Sequence, residues 1–354
     1  MHKHNRDPCD AEYRSRGFQF TTGLRMRTMK KARALVVAAA ALSALPGAAY
    51  AQELTLFAGP LVSGTDHSYS WELSYVEGFG QYFAGSIAWL NEGHITGHHR
   101  DGQTFQAWAR LPLARRRFVV ALGIGPYRYF DTEAASQNLG YSNTHGWGVV
   151  YSARATWYAA QRWTANLQLD RVQVTRGPST TAIMLGVGYQ LDAPDTPGPR
   201  DFALPRTQDV THNEITVMAG ETILNSLKSQ TSAAESIEYR RGLAHWLDGT
   251  IGYLHEGNGI SARRDGATAQ LWLTRAFLDE RLTLGFGAGL YAAIHHGDAN
   301  DDRDTGDGIL SGLVSVSASY RITRHWAARV TWNRVVTRYS RDTDVILGGI
   351  GYRF

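Results

Sequence analysis

The 354-residue chain has a single cysteine, Cys9. One thiol forms no disulfide within the chain and builds no thiolate metal site. Long apolar runs are missing too. Beyond residue 51 no stretch of about 18 consecutive apolar residues occurs, which excludes helical membrane spans. Proline stops early: the last of ten is Pro205, so little interrupts long strands in the second half. The surplus of positive charge is local. The formal net charge is +4, but residues 1–51 hold 9 of the 36 Lys and Arg and 3 of the 32 Asp and Glu. The remaining 27 basic and 29 acidic residues leave no basic surface suited to nucleic acid.

Met29–Ala51 reads as a cleavable signal peptide. Lys30, Lys31 and Arg33 form its basic start, Leu35 to Leu45 its short apolar core, and Ala49-Tyr50-Ala51 its cleavage site. Residues 1–28 then read as an over-called extension, with Met29 or Met26 as the start and Gln52 as the mature N-terminus. Cys9 falls in the discarded part, so no lipoprotein anchor is expected. At the other end the chain closes G-I-G-Y-R-F. Ile346, Ile350, Tyr352 and Phe354 share one parity, Gly349, Gly351 and Arg353 the other. This resembles the C-terminal signature of bacterial outer-membrane β-barrels. The resemblance implies export to the outer membrane and recognition of the Tyr352/Phe354 strand by the barrel-assembly machinery.

The chain is written twice. Ser86–Thr132 aligns with Thr250–His296 at an offset of 164 without a gap, placing Gln106 and Trp108 on Gln270 and Trp272. Further on the offset is 163, with Trp163 on Trp326 and Arg171 on Arg334. Two repeats, 52–192 and 214–354, flank a proline-rich linker, 193–213, expected on the periplasmic side. The first reads as eight strands, near 53–62, 68–79, 83–92, 103–113, 118–131, 146–158, 163–174 and 181–191. Phe105, Ala107, Ala109 and Leu111 face one way, and Thr104, Gln106, Trp108 and Arg110 the other, as a lipid-surrounded barrel requires. The fold class is all-β, a transmembrane antiparallel β-barrel. Bulky inward Trp108, Tyr127, Tyr129, Trp272 and Tyr291 fit the narrow bore of two tandem eight-stranded barrels. The alternative is one sixteen-stranded barrel with an open channel. Short connections follow even strands and longer ones follow odd strands, so 92–102 is expected to be an external loop.

That segment, E-G-H-I-T-G-H-H-R-D-G, gathers Glu92, His94, His98, His99 and Asp101. Two imidazoles and a carboxylate would make zinc ligands. The second repeat, however, has Asn258, Ala262 and Arg263 in place of the histidines. What both copies keep is E-G, then R-D-G, read as turn chemistry. We assign no metal, no cofactor and no catalytic residue. Inward parity places Glu92 and Glu256 inside, where Arg110 and Asp170 are expected to join Glu92 in a buried polar plug. Arg171 and Arg334 have outward parity, near the outer edge of the apolar band. There they are expected to meet lipid A phosphates, with snorkelling to the interface as the plainer reading.

The repeat resembles the small eight-stranded barrel superfamily that includes the lipid A deacylases. The resemblance lies in strand order, in the stretch ending G-I-G-P-Y-R-Y-F and in the closing pair of strands. It implies the barrel fold. Those enzymes are similar to serine hydrolases and carry His-x-Ser on strand seven, where this chain has Asp170-Arg171-Val172 and Asn333-Arg334-Val335. A hydroxyl without an adjacent base is a poor nucleophile, so no catalytic residue carries over. Three functional classes follow. The first is a non-enzymatic barrel binding lipopolysaccharide or a partner through external loops. The second is a porin-like channel. The third is a lipid A-modifying hydrolase using His94, His98 or His145 with Glu92.

Overall fold

The computed structural model describes residues 52–354 apart from 135–139, 160–161, 192, 195, 200–209, 258–263 and 297–308. The leader 29–51 and the segment 1–28 lie outside the described residues. So do Asn258, Ala262, Arg263 and most of the linker.

Period-two patterning dictates strands, and sixteen form among the described residues. In the first sheet they are β1 (Gln52–Ser63), β2 (Asp66–Phe79), β3 (Phe83–Ile95), β4 (His98–Leu113), β5 (Phe118–Ala134), β6 (Tyr141–Tyr158), β7 (Trp163–Val174) and β8 (Thr180–Gln190). In the second they are β9 (Glu214–Leu224), β10 (Thr231–Ala244), β11 (Leu247–His255), β12 (Arg264–Phe277), β13 (Leu282–His296), β14 (Leu310–Arg321), β15 (Trp326–Val336) and β16 (Thr343–Arg353). Each sheet closes on itself. β1 pairs with β8, Glu53 opposite Gln190, and β9 pairs with β16, Glu214 opposite Arg353. The result is two eight-stranded barrels rather than one of sixteen strands. The linker explains the choice: Leu191 closes back on Gln52 through a backbone hydrogen bond, so β8 is already paired before β9 begins.

The alternation is that of a transmembrane barrel. Along β7, Trp163, Ala165, Leu167 and Leu169 are exposed while Thr164, Asn166, Gln168 and Asp170 are buried. The outside is apolar and the inside polar. Residues 48–354 form one compact unit. Its near end carries Gln52, Leu191 and Phe354, and its far end the turns β1–β2, β3–β4 and β7–β8. Two expected far-end loops are strand instead. Residues 62–67 shrink to a turn at Gly64–Thr65, and 92–102 to a turn at Thr96–Gly97. Antiparallel pairing continues through both stretches because each backbone group that joins the ladder is satisfied there.

Each bore holds a buried indole laid over its neighbouring strands. Trp108 Nε1 donates to Ser86 Oγ at 2.8 Å, and Trp272 Nε1 to Thr250 Oγ1 at 2.9 Å. Each ring lies on a glycine of the next strand. A Cβ added at Gly123 or Gly287 would stand 2.7 Å from Trp108 or Trp272. Gly123→Ala and Gly287→Ala are each expected to cost about 1–3 kcal/mol by overpacking. Gly348→Ala, where a Cβ meets nothing within 4 Å, is the control. Urea midpoints of the refolded protein check this.

Candidate functional site

Polar residues facing a narrow bore must pair with one another. In the first barrel Gln106 Nε2 donates to Ser152 Oγ at 2.7 Å, which donates to Asp170 Oδ1 at 2.5 Å. Gln168 Nε2 donates to Asp170 Oδ2 at 2.8 Å and to Glu72 Oε2 at 3.0 Å. Arg154 Nε donates to Gln168 at 2.6 Å, with its guanidinium 4.8 Å from the Phe57 ring and 4.4 Å from that of Trp108. The second barrel repeats the chain as Gln270, Ser315 and Asn333, with links of 2.8 and 2.6 Å. Its arginines are anchored by other acids. Arg329 meets Glu214 at 2.6 Å and Glu238 at 2.8 Å, and Arg240 lies 4.4 Å over Trp272. At its near-end mouth, among Glu214, Arg240, Asp248 and Arg329, is a cavity of ≈ 20 Å³, about the room of one water.

Toward the far end each bore holds a second plug. Arg100 Nε donates to Glu92 Oε2 at 2.5 Å and Nη2 to Oε1 at 2.8 Å. Arg264 Nε donates to Glu256 Oε1 at 2.8 Å and Nη2 to Oε2 at 2.5 Å. Such planar two-bond pairing is what guanidinium and carboxylate geometry favour. Thr180 and Thr343 hydroxyls also donate to these carboxylates. E-G…R-D-G is therefore a paired acid and base with a glycine at positive φ between them, +62° at Gly93 and +86° at Gly257. Asp-Gly forms no turn in the first copy: Gly102 lies in β4, opposite Leu90 and Tyr129. Glu92 does not join Arg110 or Asp170. Arg110 is ten residues along β4 from Arg100, about 33 Å of strand, and its Nη2 donates to Gly80 O at 2.5 Å.

The histidines separate onto two faces. His94 and His99 are a cross-strand pair with ring centroids 4.2 Å apart. His98 points the other way, opposite Ile95 of the interior apolar cluster, and its Nδ1 lies 3.0 Å from Asp131 Oδ2.

Asp101 and Arg334 meet each other. Both have outward parity, on different barrels, and both are buried. Arg334 is 3% exposed. Its Nη1 and Nη2 donate to Asp101 at 3.0 and 2.7 Å, and its Nε and Nη2 to Asp344 at 2.5 and 2.7 Å. The guanidinium lies 5.4 Å from the Trp89 ring and 5.1 Å from that of Phe130. Trp332 packs 4.1 Å from Trp89, and its Nε1 donates to Asp344 at 3.0 Å. Toward the far end His145 Nε2 lies 2.6 Å from Asp342, and Asn143 bonds Ser340 and Asn225. Toward the near end Phe105 meets Phe286, and Tyr75 meets Phe277. Arg334 thus lies in a seam between the barrels and has no lipid phosphate to meet. Its repeat partner Arg171 stays exposed, with Nη1 2.9 Å from Thr181 Oγ1. Sequence reasoning missed the seam. The available signal was two tryptophans, Trp89 and Trp332, on outward faces beside charged residues of opposite sign.

No family model matches the sequence, and no curated protein matches it. Among solved structures it is similar to the N-terminal β-barrel domain of Pseudomonas aeruginosa OprF, at 13% identity and a TM-score of 0.32, over 40% of this chain and 98% of that one. It is also similar to the translocator domain of autotransporter NalP from Neisseria meningitidis, at 10% identity and 0.20, over 94% and 98%. A third likeness is to the NanC porin, at 10% and 0.21, over 85% and 100%. At these values no property of those proteins passes to this chain.

Arg334→Ala strands two buried carboxylates and is expected to cost about 3–5 kcal/mol. Arg171→Ala, at the matching exposed position, is expected to stay within about 0.5 kcal/mol. Urea unfolding followed by tryptophan fluorescence separates the two.

Proposed function

We propose that the protein is a non-enzymatic outer-membrane pair of plugged barrels whose far end, at the cell exterior, binds lipopolysaccharide or a protein partner. The observation that carries this reading is the filling of both bores. Among the described residues each contains two arginine-centred plugs at different heights, which supports closed bores.

The outer surface supports the membrane location. Trp157, Trp163, Trp326 and Tyr352 are exposed near one end, and Trp147 and Tyr151 are exposed farther along the strands. Trp147 and Trp157 are ten residues apart on β6. That is about 33 Å of strand, or about 25 Å of depth at a tilt near 40°, matching the height of an outer-membrane apolar band. The last strand leaves Tyr352 and Phe354 exposed, available to the barrel-assembly machinery. The signal peptide reading of 29–51 agrees with this destination.

Lipopolysaccharide contact now rests on Arg171 rather than Arg334. Arg171 pairs across the ladder with Tyr151, four residues short of Trp147, so its backbone stands about 10 Å inside the far rim of the band and its long side chain is read as snorkelling toward that rim. A guanidinium that reaches the rim suits a lipid A phosphate. The far-end strands add a surface beyond the band: β5 and β6 are 17 and 18 residues long, well past what the apolar band needs.

Single-channel recording of the refolded protein in a planar bilayer containing lipopolysaccharide tests the proposal. Folded protein is expected to give no steady ohmic steps, whereas sustained conductance overturns the plugged reading. Arg171→Ala is expected to retain less lipopolysaccharide through detergent purification. Unchanged retention removes that ligand and leaves the partner-binding form.

A further inference from the structure

We propose that the far-end mouth of the first barrel binds one divalent transition-metal ion, such as zinc, through His98, Asp131 and Glu133. The β4–β5 ladder sets His98 directly opposite Glu133, and Asp131, two residues earlier, shares their face. Donor atoms from all three lie within 4.8 Å of one another. Two donors on a tetrahedral zinc stand about 3.3 Å apart. The His98–Asp131 separation of 3.0 Å is already close to that, and Glu133 has a side chain long enough to close the rest.

The donor chemistry selects the ion. Calcium and magnesium are held by oxygen, whereas an imidazole with two carboxylates is a zinc donor set that leaves a position for water. Thr144 Oγ1 donates to Glu133 Oε1 at 2.8 Å, orienting a ligand from outside.

Two further observations point to a cation. The Asp131 side chain is fully buried, and among the described residues its Oδ1 has no hydrogen-bond partner. Native structures rarely leave a buried carboxylate oxygen so. The charge is also unbalanced. Arg100, the cation nearest by, gives its hydrogen bonds to Glu92 and Pro178. Arg100 also stands directly opposite Asp131 on the ladder, so Glu92, Asp131 and Glu133 share this one guanidinium and keep a surplus of negative charge that a divalent ion offsets. Gly177, in the β7–β8 turn, comes close enough that an added Cβ would lie 3.4 Å from Arg100 Nη1, 3.8 Å from Asp131 Oδ2 and 3.9 Å from His98 Cε1. The site is therefore roofed by backbone rather than open on a flat surface.

In the second repeat the matching sequence positions read Ala262, His295 and Gly297, which do not supply this donor set. The stoichiometry expected is one ion per chain. The outward pair His94 and His99 is the competing explanation for any zinc uptake, since two adjacent imidazoles also attract the ion.

The test is calorimetric titration of the refolded, untagged, metal-stripped chain with zinc, and with cobalt followed by its visible absorption. One site per chain with micromolar or tighter affinity is expected. Asp131→Asn, close in shape to the original, and Glu133→Gln are each expected to weaken binding about tenfold or more, and His98→Ala at least as much. Their folded state is checked by heat-dependent electrophoretic mobility, so loss of binding is separable from loss of structure. Should one of them fail to fold, the other two decide. The variant His94→Ala plus His99→Ala is expected to bind as before. Absence of binding in the parent chain overturns the proposal. So does undiminished binding in the folded His98, Asp131 or Glu133 variants, or loss of binding with His94 and His99, which marks an adventitious surface site.

Discussion

The bore of an eight-stranded barrel is just wide enough for side chains to fill it. Polar groups placed there face one another with almost no solvent between them, so every arginine needs acceptors at hand. Arg154 finds Gln168, with Glu72 beyond at 3.7 Å and two aromatic rings on either side. Arg329 finds Glu214 and Glu238. Arg100 and Arg264 each take both oxygens of a glutamate eight residues earlier. Burying a charge is costly unless it is paired. These pairs are what allow the inward faces to be polar while the outward faces remain apolar, and both barrels use the same solution.

A closed barrel has no free strand edge, so within the membrane-spanning part the two barrels associate through outward side chains. The seam does this with rings and one guanidinium. Arg334 bridges Asp101 of the first barrel and Asp344 of its own, between Trp89 and Phe130, with Trp332 packed alongside. Lipid would solvate none of these polar atoms. Covering them by a second barrel is what makes an outward Asp and Arg tolerable at that depth. The far-end contacts of Asn143 and His145 with Asn225, Ser340 and Asp342 extend the same boundary beyond the apolar part.

Much of the fold was legible from residues alone. The strand ends expected at Phe79, Phe83, Leu113, Phe118, Tyr158, Trp163 and Val174 are where strands begin or stop, because turn residues and parity change together there. The far-end boundaries were less legible. His94 to Asp101 looks like loop by composition, yet it pairs as strand, since ladder formation depends on a partner's backbone and not on side-chain polarity. The pairing of Glu92 was misread for a related reason. Parity says which side chains face inward, but not at what height they stand, and Arg110 stands far down the barrel from Glu92.

The sequence by itself determined the period of two, the apolar outside and the bulky polar inside, while the closing of each half on itself was decided by the pairing of β1 with β8 and of β9 with β16. The first three are set by neighbours one, two or a few residues away, or by the volume a bore must hold. Only the tertiary structure decided what Arg171 and Arg334 meet. They occupy the same place in the two repeats with the same parity. One remains on the outer surface, and the other is enclosed between two barrels by a carboxylate 233 residues away. The bringing together of His98, Asp131 and Glu133 is of the same kind: register between β4 and β5 fixes it, and register is a property of two strands at once.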